Sequence, residues 1–204
     1  MMSEKNSGRG KIPLSGLILI AFFIALELIL NRVLSINTPV IRVSLAFLPL
    51  AATAILYGPL WAAAACVIED LIGATLFPTG AFFPGFTLTA LLTGLTFGLF
   101  LHGRPIHFAV TKSTDAFAFT FGLSLHGRPV TWKSVLPAAA IICVLYNLCL
   151  DSFWLYIIMG KGVLALMPVR LIKVAVMLPL ETTLIPLVWH YIGKAIPAGF
   201  RPSV

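Results

Sequence analysis

The chain is constrained above all by apolar runs that recur at close to the length of a bilayer. A spanning helix needs about 20 mostly apolar residues, and hydrocarbon leaves a crossing backbone little choice but a helix or a closed barrel. Residues 13–33, 60–77, 84–101, 135–159 and 163–196 each supply such a run, and 43–57 supplies a shorter one. These six segments predict six helices. Gly58-Pro59 breaks the second from the third, and Pro168 would leave a short surface turn before the sixth span. The first run is too long for a signal-peptide core and lacks a clear small-x-small cleavage pattern, so it reads as a retained span. Only 10% of the 204 residues are charged and 59% are hydrophobic, against about 25% charged in a soluble domain. That balance excludes a soluble globular domain, a disordered chain and a disulfide-stapled one. The expected fold is an all-α membrane protein, a compact six-transmembrane-helix bundle. One domain would occupy 1–204, with an N-terminal segment at 1–12, a long loop at 102–134 and a tail at 197–204.

Basic residues set the orientation. With the N-terminus inside, Lys5, Arg9, Lys11, Arg104, Lys112, Arg128, Lys133, Lys194 and Arg201 are cytoplasmic, while Arg32, Arg42, Lys161, Arg170 and Lys173 fall in outer loops or spans. Both termini are therefore expected inside a multi-pass cell membrane. The net charge of +7 is read as basic cytoplasmic loops facing lipid, with no nucleic-acid partner. Residues 96–105, at the end of the fourth span and the start of the long loop, recur inside the loop as 120–129 with only Phe100 and Ser124 differing. This is a local duplication, and it makes His102 and His126 loop residues, not metal ligands. Cys66, Cys143 and Cys149 lie in apolar runs without a CxxC spacing and read as packing residues. No metal and no cofactor is expected.

Charge inside the spans is costly, about 2.5–3.5 kcal/mol per group on insertion scales. Glu27, Glu69, Asp70, Asp151, Arg170, Lys173 and Glu181 are tolerated all the same. Internal ion pairing is the plain explanation. Helical spacing adds a second one. Asn147, Asp151 and Trp154 share a face of the fifth span, Arg170 and Lys173 a face of the sixth, and Asp70, Gly73 and Phe77 a face of the third. In this topology these groups gather toward the outer side, together with Arg32, Arg42, Phe82 and Phe83 from the outer loops. Cations, carboxylates and aromatic rings in one place suit a ligand with a flat heteroaromatic part and an anionic part. Small residues at four-residue spacing, Ala21 with Ala25 and Ala90 with Gly94 and Gly98, allow close helix approach. On the fourth span this reads as packing within the chain. The sequence has no phosphate-binding G-x-x-x-x-G-K-[ST] loop, H-E-x-x-H or G-x-S-x-G, and so no sign of its own ATPase, metalloprotease or hydrolase chemistry.

The segments Asn31-Arg-Val-Leu-Ser-Ile36, Ile41-Arg-Val-Ser44, Tyr57-Gly-Pro59 and Asp70-Leu-Ile-Gly73 come in that order. Phe77-Pro-Thr-Gly-Ala-Phe-Phe-Pro-Gly-Phe-Thr-Leu88 follows, then Asn147 and Pro168-Val-Arg-Leu-Ile-Lys173. Together they resemble the substrate-binding S components of energy-coupling factor (ECF) vitamin transporters, the folate-specific members most of all. The resemblance implies a vitamin-binding subunit that is not an enzyme. It would hold folate or a related vitamin in an outward-facing pocket and reorient against a membrane-embedded T subunit and two ATPase subunits. Ala21-x-x-x-Ala25 looks like the family's docking motif for the T subunit. By position, Asp70 or Asn147 would pair with the pterin edge, and Phe82, Phe83 or Trp154 would stack on the rings. Arg42, Arg170 or Lys173 would meet the carboxylates. Arg32 would either join them or snorkel at a helix end. Gly80 and Gly85 would give a lid over the ligand its backbone freedom. The competing readings are an S component for another vitamin such as pantothenate, an autonomous channel or secondary transporter, and, last, a membrane enzyme using Asp70 and Asp151.

Overall fold

The computed structural model describes residues 14–37, 42–77, 83–102, 130, 132–159 and 163–195. Most of the duplicated loop, including His126, lies outside the described residues, as do Phe82 and Gly80. The order is α1 (Leu14–Arg32), β1 (Ile36–Asn37), β2 (Arg42–Val43), α2 (Phe47–Tyr57), α3 (Pro59–Leu76) and α4 (Pro84–Leu101). A fifth rod then joins α5 (Trp132–Ala140), a π-helical stretch (Ile141–Leu150) and α6 (Asp151–Met159), and α7 (Val163–Ala195) follows. Five rods are long and apolar enough to cross a membrane, and Phe47–Tyr57 is a shorter apolar helix. The expected all-helical bundle is present. Large apolar side chains such as Leu17, Ile18, Phe22, Leu71, Phe153, Leu171 and Tyr191 point outward, which suits a lipid surround and would not suit water.

Three boundaries differ from expectation. The second helix begins at Phe47, four residues later than the sequence suggested, and β1 and β2 pair antiparallel before it, Ile36 opposite Val43 and Asn37 opposite Arg42. Pro49 suits the delay, because proline is accommodated most easily in a helix's first turn, where its missing N–H is not needed. The fifth rod starts at Trp132 and widens to π geometry, with Asp151 N–H donating to the Tyr146 carbonyl five residues back. The sixth rod runs unbroken past Pro168, Pro179 and Pro186. A break there would leave backbone groups unbonded in an apolar surround, so the helix continues through its prolines.

Small residues set the closest approach. A Cβ on Gly94 would stand 2.6 Å from the Ala62 carbonyl oxygen, and one on Gly98 would strike Pro59. The small face of the fourth helix is thus an α3–α4 seam, as expected. At the end of the bundle opposite the β pair, Gly58 takes φ 85°, the one positive φ among the described residues, and Pro59 opens α3 at once. His102 closes this joint. Its ring lies over Gly58 and its Nδ1 is 3.0 Å from the Ile55 carbonyl. It is a helix-end residue with a fixed partner, more than the plain loop residue expected.

Candidate ligand-binding site

The ends of α1, α3 and α6 and the starts of α4 and α7 meet at the same end of the bundle as the β pair. Two polar clusters lie there. In the first, Arg32 Nη2 stands 4.0 Å from Asp70 Oδ1 and Arg32 Nη1 donates to the Phe77 carbonyl at 3.4 Å. Thr87 Oγ1 donates to Asp70 Oδ2 at 2.7 Å. One turn below, Asn31 Nδ2 donates to Glu69 Oε1 at 3.0 Å. Gly73 makes the ion pair possible: a Cβ there would lie 2.5 Å from the guanidinium. The sequence places Asp70 and Gly73 on one face of α3, and the structure seats Arg32 on that face.

The second cluster spans the fifth rod and α7. Lys173 Nζ donates to Asn147 Oδ1 at 2.8 Å. Arg170 Nη1 donates to the Asn147 carbonyl at 2.8 Å and to Ser152 Oγ at 3.1 Å. The Ser152 hydroxyl in turn donates to the Leu148 carbonyl. Asn147 Nδ2 reaches back to the Ile142 carbonyl at 3.1 Å, an acceptor the π geometry leaves accessible. Asp151 sits in the field of Lys173, Arg170 and Asp70. Its Oδ1 is buried with no hydrogen-bond partner among the described residues, and so is Arg170 Nε. A buried acceptor and a buried donor without partners are each rare in a folded interior.

An aromatic wall joins the clusters. Trp154 lies 5.6 Å from Phe83 and 5.2 Å from Phe153, ring centre to ring centre. The Trp154 indole donates to Thr89 Oγ1 at 3.1 Å, two residues along α4 from the Thr87 that serves Asp70. Gly85 has no special backbone angle. A Cβ there would strike Phe83 and Trp154, so the missing side chain admits the two rings.

Of the residues singled out from sequence, Arg32 meets Asp70, Phe83 meets Trp154, and Asn147 meets Arg170 and Lys173. Arg42 is described through its backbone in β2. Ala21 and Ala25 lie exposed on the outer face of α1. Sequence reasoning put Asp151 on the pocket face without naming a ligand contact for it, and singled out none of Ser152, Thr87 and Thr89. The four-residue step from Asn147 to Asp151 was the available signal for Asp151; small hydroxyls carry none. A concavity on the outside of α3 and α4, lined by Leu60, Ala63, Ala64, Val67, Ile68, Leu91 and Leu95, has no polar side chain to orient a ligand.

A family model described as the S component of an ECF-type riboflavin transporter matches residues 11–159. The folate transporter FolT of Clostridium novyi (strain NT) is 35% identical over 178 residues, covering 87% of this chain and 90% of that protein. The folate transporter FolT of Leuconostoc mesenteroides subsp. mesenteroides is 30% identical over 178 residues, covering 84% and 82%. The crystal structure of FolT bound with folic acid superposes with a TM-score of 0.70 at 25% identity, over 94% of this chain and 100% of that one.

Proposed function

The chain belongs to the family of ECF-type transporter S components, and on that premise we propose that it is the folate-binding subunit of an importer in the cell membrane. The observation that carries this reading is that Asp151 Oδ1 and Arg170 Nε are both buried with no hydrogen-bond partner among the described residues, at the end of the bundle that holds the Trp154–Phe83 wall. Folate presents a flat pterin with amine and ring N–H donors, which a carboxylate accepts well. Its rings stack on indole and phenyl. Its two carboxylates call for guanidinium and ammonium, with Arg the stronger partner. Asp151 and Asp70 would take the pterin edge. Trp154, Phe83 and Phe82 would stack, and Arg170, Lys173 and Arg42 would hold the anionic end. Arg32, already bonded to Asp70 and to the Phe77 carbonyl, would order the site from outside the first ring of contacts. The chain would form a single membrane domain with both termini cytoplasmic. It would catalyse nothing itself and would rely on a T subunit and two ATPase subunits for transport.

Riboflavin is the second reading, because the matching family model carries that description. Riboflavin is neutral and offers no carboxylate to Arg170 or Lys173, whereas folate offers two, so the two cations favour folate. Calorimetric titration of the detergent-purified chain decides between them. One-to-one saturable heat with folate, and none with riboflavin, pantothenate or thiamine, is the expected result. Binding of riboflavin alone would keep the family and overturn the substrate.

A further inference from the structure

The indole of Trp154, on α6, is held by α4 at two points. Its N–H donates to Thr89 Oγ1 at 3.1 Å, a contact between positions 65 residues apart. One turn earlier on α4, Gly85 makes room for the ring. A Cβ on Gly85 would stand 2.5 Å from Trp154 Cδ2 and 2.4 Å from Phe83 Cε1. Residues 85 and 89 are four apart and share one face of the helix. The two points are also tied to each other, because the Thr89 hydroxyl donates to the Gly85 carbonyl at 3.2 Å. That bond settles the polarity of the contact. A hydroxyl has one hydrogen to give and lone pairs with which to accept, whereas an indole N–H can only donate. With the Thr89 hydrogen committed to Gly85, its oxygen is left for Trp154. Thr89 is buried, 9% exposed, so water competes little for that oxygen.

This seat fixes both what the ring can offer and how it lies. The one polar group of Trp154 is already bonded, so what remains for a ligand is an aromatic face. The contacts that orient the ring all lie within the protein, since Phe83 and Phe153 pack on it at interplanar angles of 53° and 59°. A side chain ordered in advance loses less entropy when a ligand binds. We propose that Thr89 is a positioning residue of the ligand site, which accepts the Trp154 N–H over the bare Cα of Gly85 and so presets the ring as a stacking platform for the flat part of the ligand. The inference rests on the folate reading and on the assignment of Trp154 to the ligand rings. Thr89 acts through Trp154 alone. Thr87, two residues away, is turned to Asp70 and belongs to a separate contact.

Calorimetric titration of folate into purified variants tests this as a double-mutant cycle. Thr89→Val keeps the branched shape and removes the acceptor, and it should weaken folate binding about tenfold. Thr89→Ser returns the hydroxyl and should recover an affinity within about twofold of the wild type. Trp154→Phe keeps a ring without the N–H, and on that background Thr89→Val should weaken binding no further. Equal weakening by Thr89→Val on both backgrounds overturns the inference, because Thr89 would then reach the site by a route other than Trp154. Wild-type affinity in Thr89→Val overturns it, and so does a Ser variant as weak as the Val variant. Unchanged affinity in Trp154→Ala takes the ring out of the site and overturns the inference while the folate reading stands. Absence of folate binding by the wild type overturns the reading and the inference together. Should Thr89→Val fail to fold, Thr89→Ala runs the same cycle, with the same expected and overturning results.

Discussion

Asp151 and Arg170 show how much a single unsatisfied atom says about a site. Buried polar atoms almost always find a partner within the protein or in ordered water, yet Asp151 Oδ1 and Arg170 Nε have none among the described residues, at the end where Trp154 and Phe83 pack. Hydrogen bonds to a charged group contribute about 1.5–3 kcal/mol each. Asp151→Asn keeps the size and removes the charge, so it should weaken folate binding by about tenfold to a hundredfold. Calorimetric Kd measured beside thermal unfolding in detergent checks this, with the unfolding temperature nearly unchanged. Arg32 illustrates the opposite case. The sequence left it open between ligand contact and helix-end ordering, and its bonds to Asp70 and the Phe77 carbonyl favour ordering.

At the scale of elements, two local departures position the site. The π stretch at Ile141–Leu150 widens the helix and leaves carbonyls that side chains take up: Asn147 bonds that of Ile142, and Arg170 bonds that of Asn147. Short π segments are often found at functional sites. The α3–α4 seam is the second device, since it fixes Asp70 against Thr87. Gly94→Ala would force a methyl to 2.6 Å from the Ala62 carbonyl oxygen, where backbone cannot yield cheaply. Overpacking of this kind costs about 1–3 kcal/mol. The variant should unfold at lower temperature and, where still folded, bind folate with an affinity close to that of the wild type. The small-residue spacing of this helix could be read in advance. The π stretch could not, although Pro137 inside α5 marks a ladder already interrupted one turn earlier.

At the scale of the whole molecule, binding and delivery are assigned to different surfaces. The proposed ligand groups cluster at one end, while Ala21 and Ala25 lie exposed along the side of α1, where a small-xxx-small face would admit a partner helix closely. Ala25→Trp should therefore leave calorimetric folate affinity within about twofold of wild type and abolish folate uptake by cells that co-express the T and ATPase subunits. Loss of both together would place Ala25 in the bundle's own packing. Spans, their number and the gathering of charge at one end follow from the sequence alone, because hydrocarbon forces apolar length and helical backbone on any crossing segment. The identity of the groups at that end is legible too, since helical spacing places Asn147 with Asp151 and Arg170 with Lys173. Which atoms are already taken is decided only by tertiary structure. Asn147 is engaged by Lys173 and Asp70 by Arg32 and Thr87, while Asp151, Arg170 and Glu181 each keep an atom with no partner among the described residues. Periodicity assigns a side chain to a face, but a hydrogen bond is a matter of tenths of an ångström between helices far apart in sequence, and only their packing sets that distance.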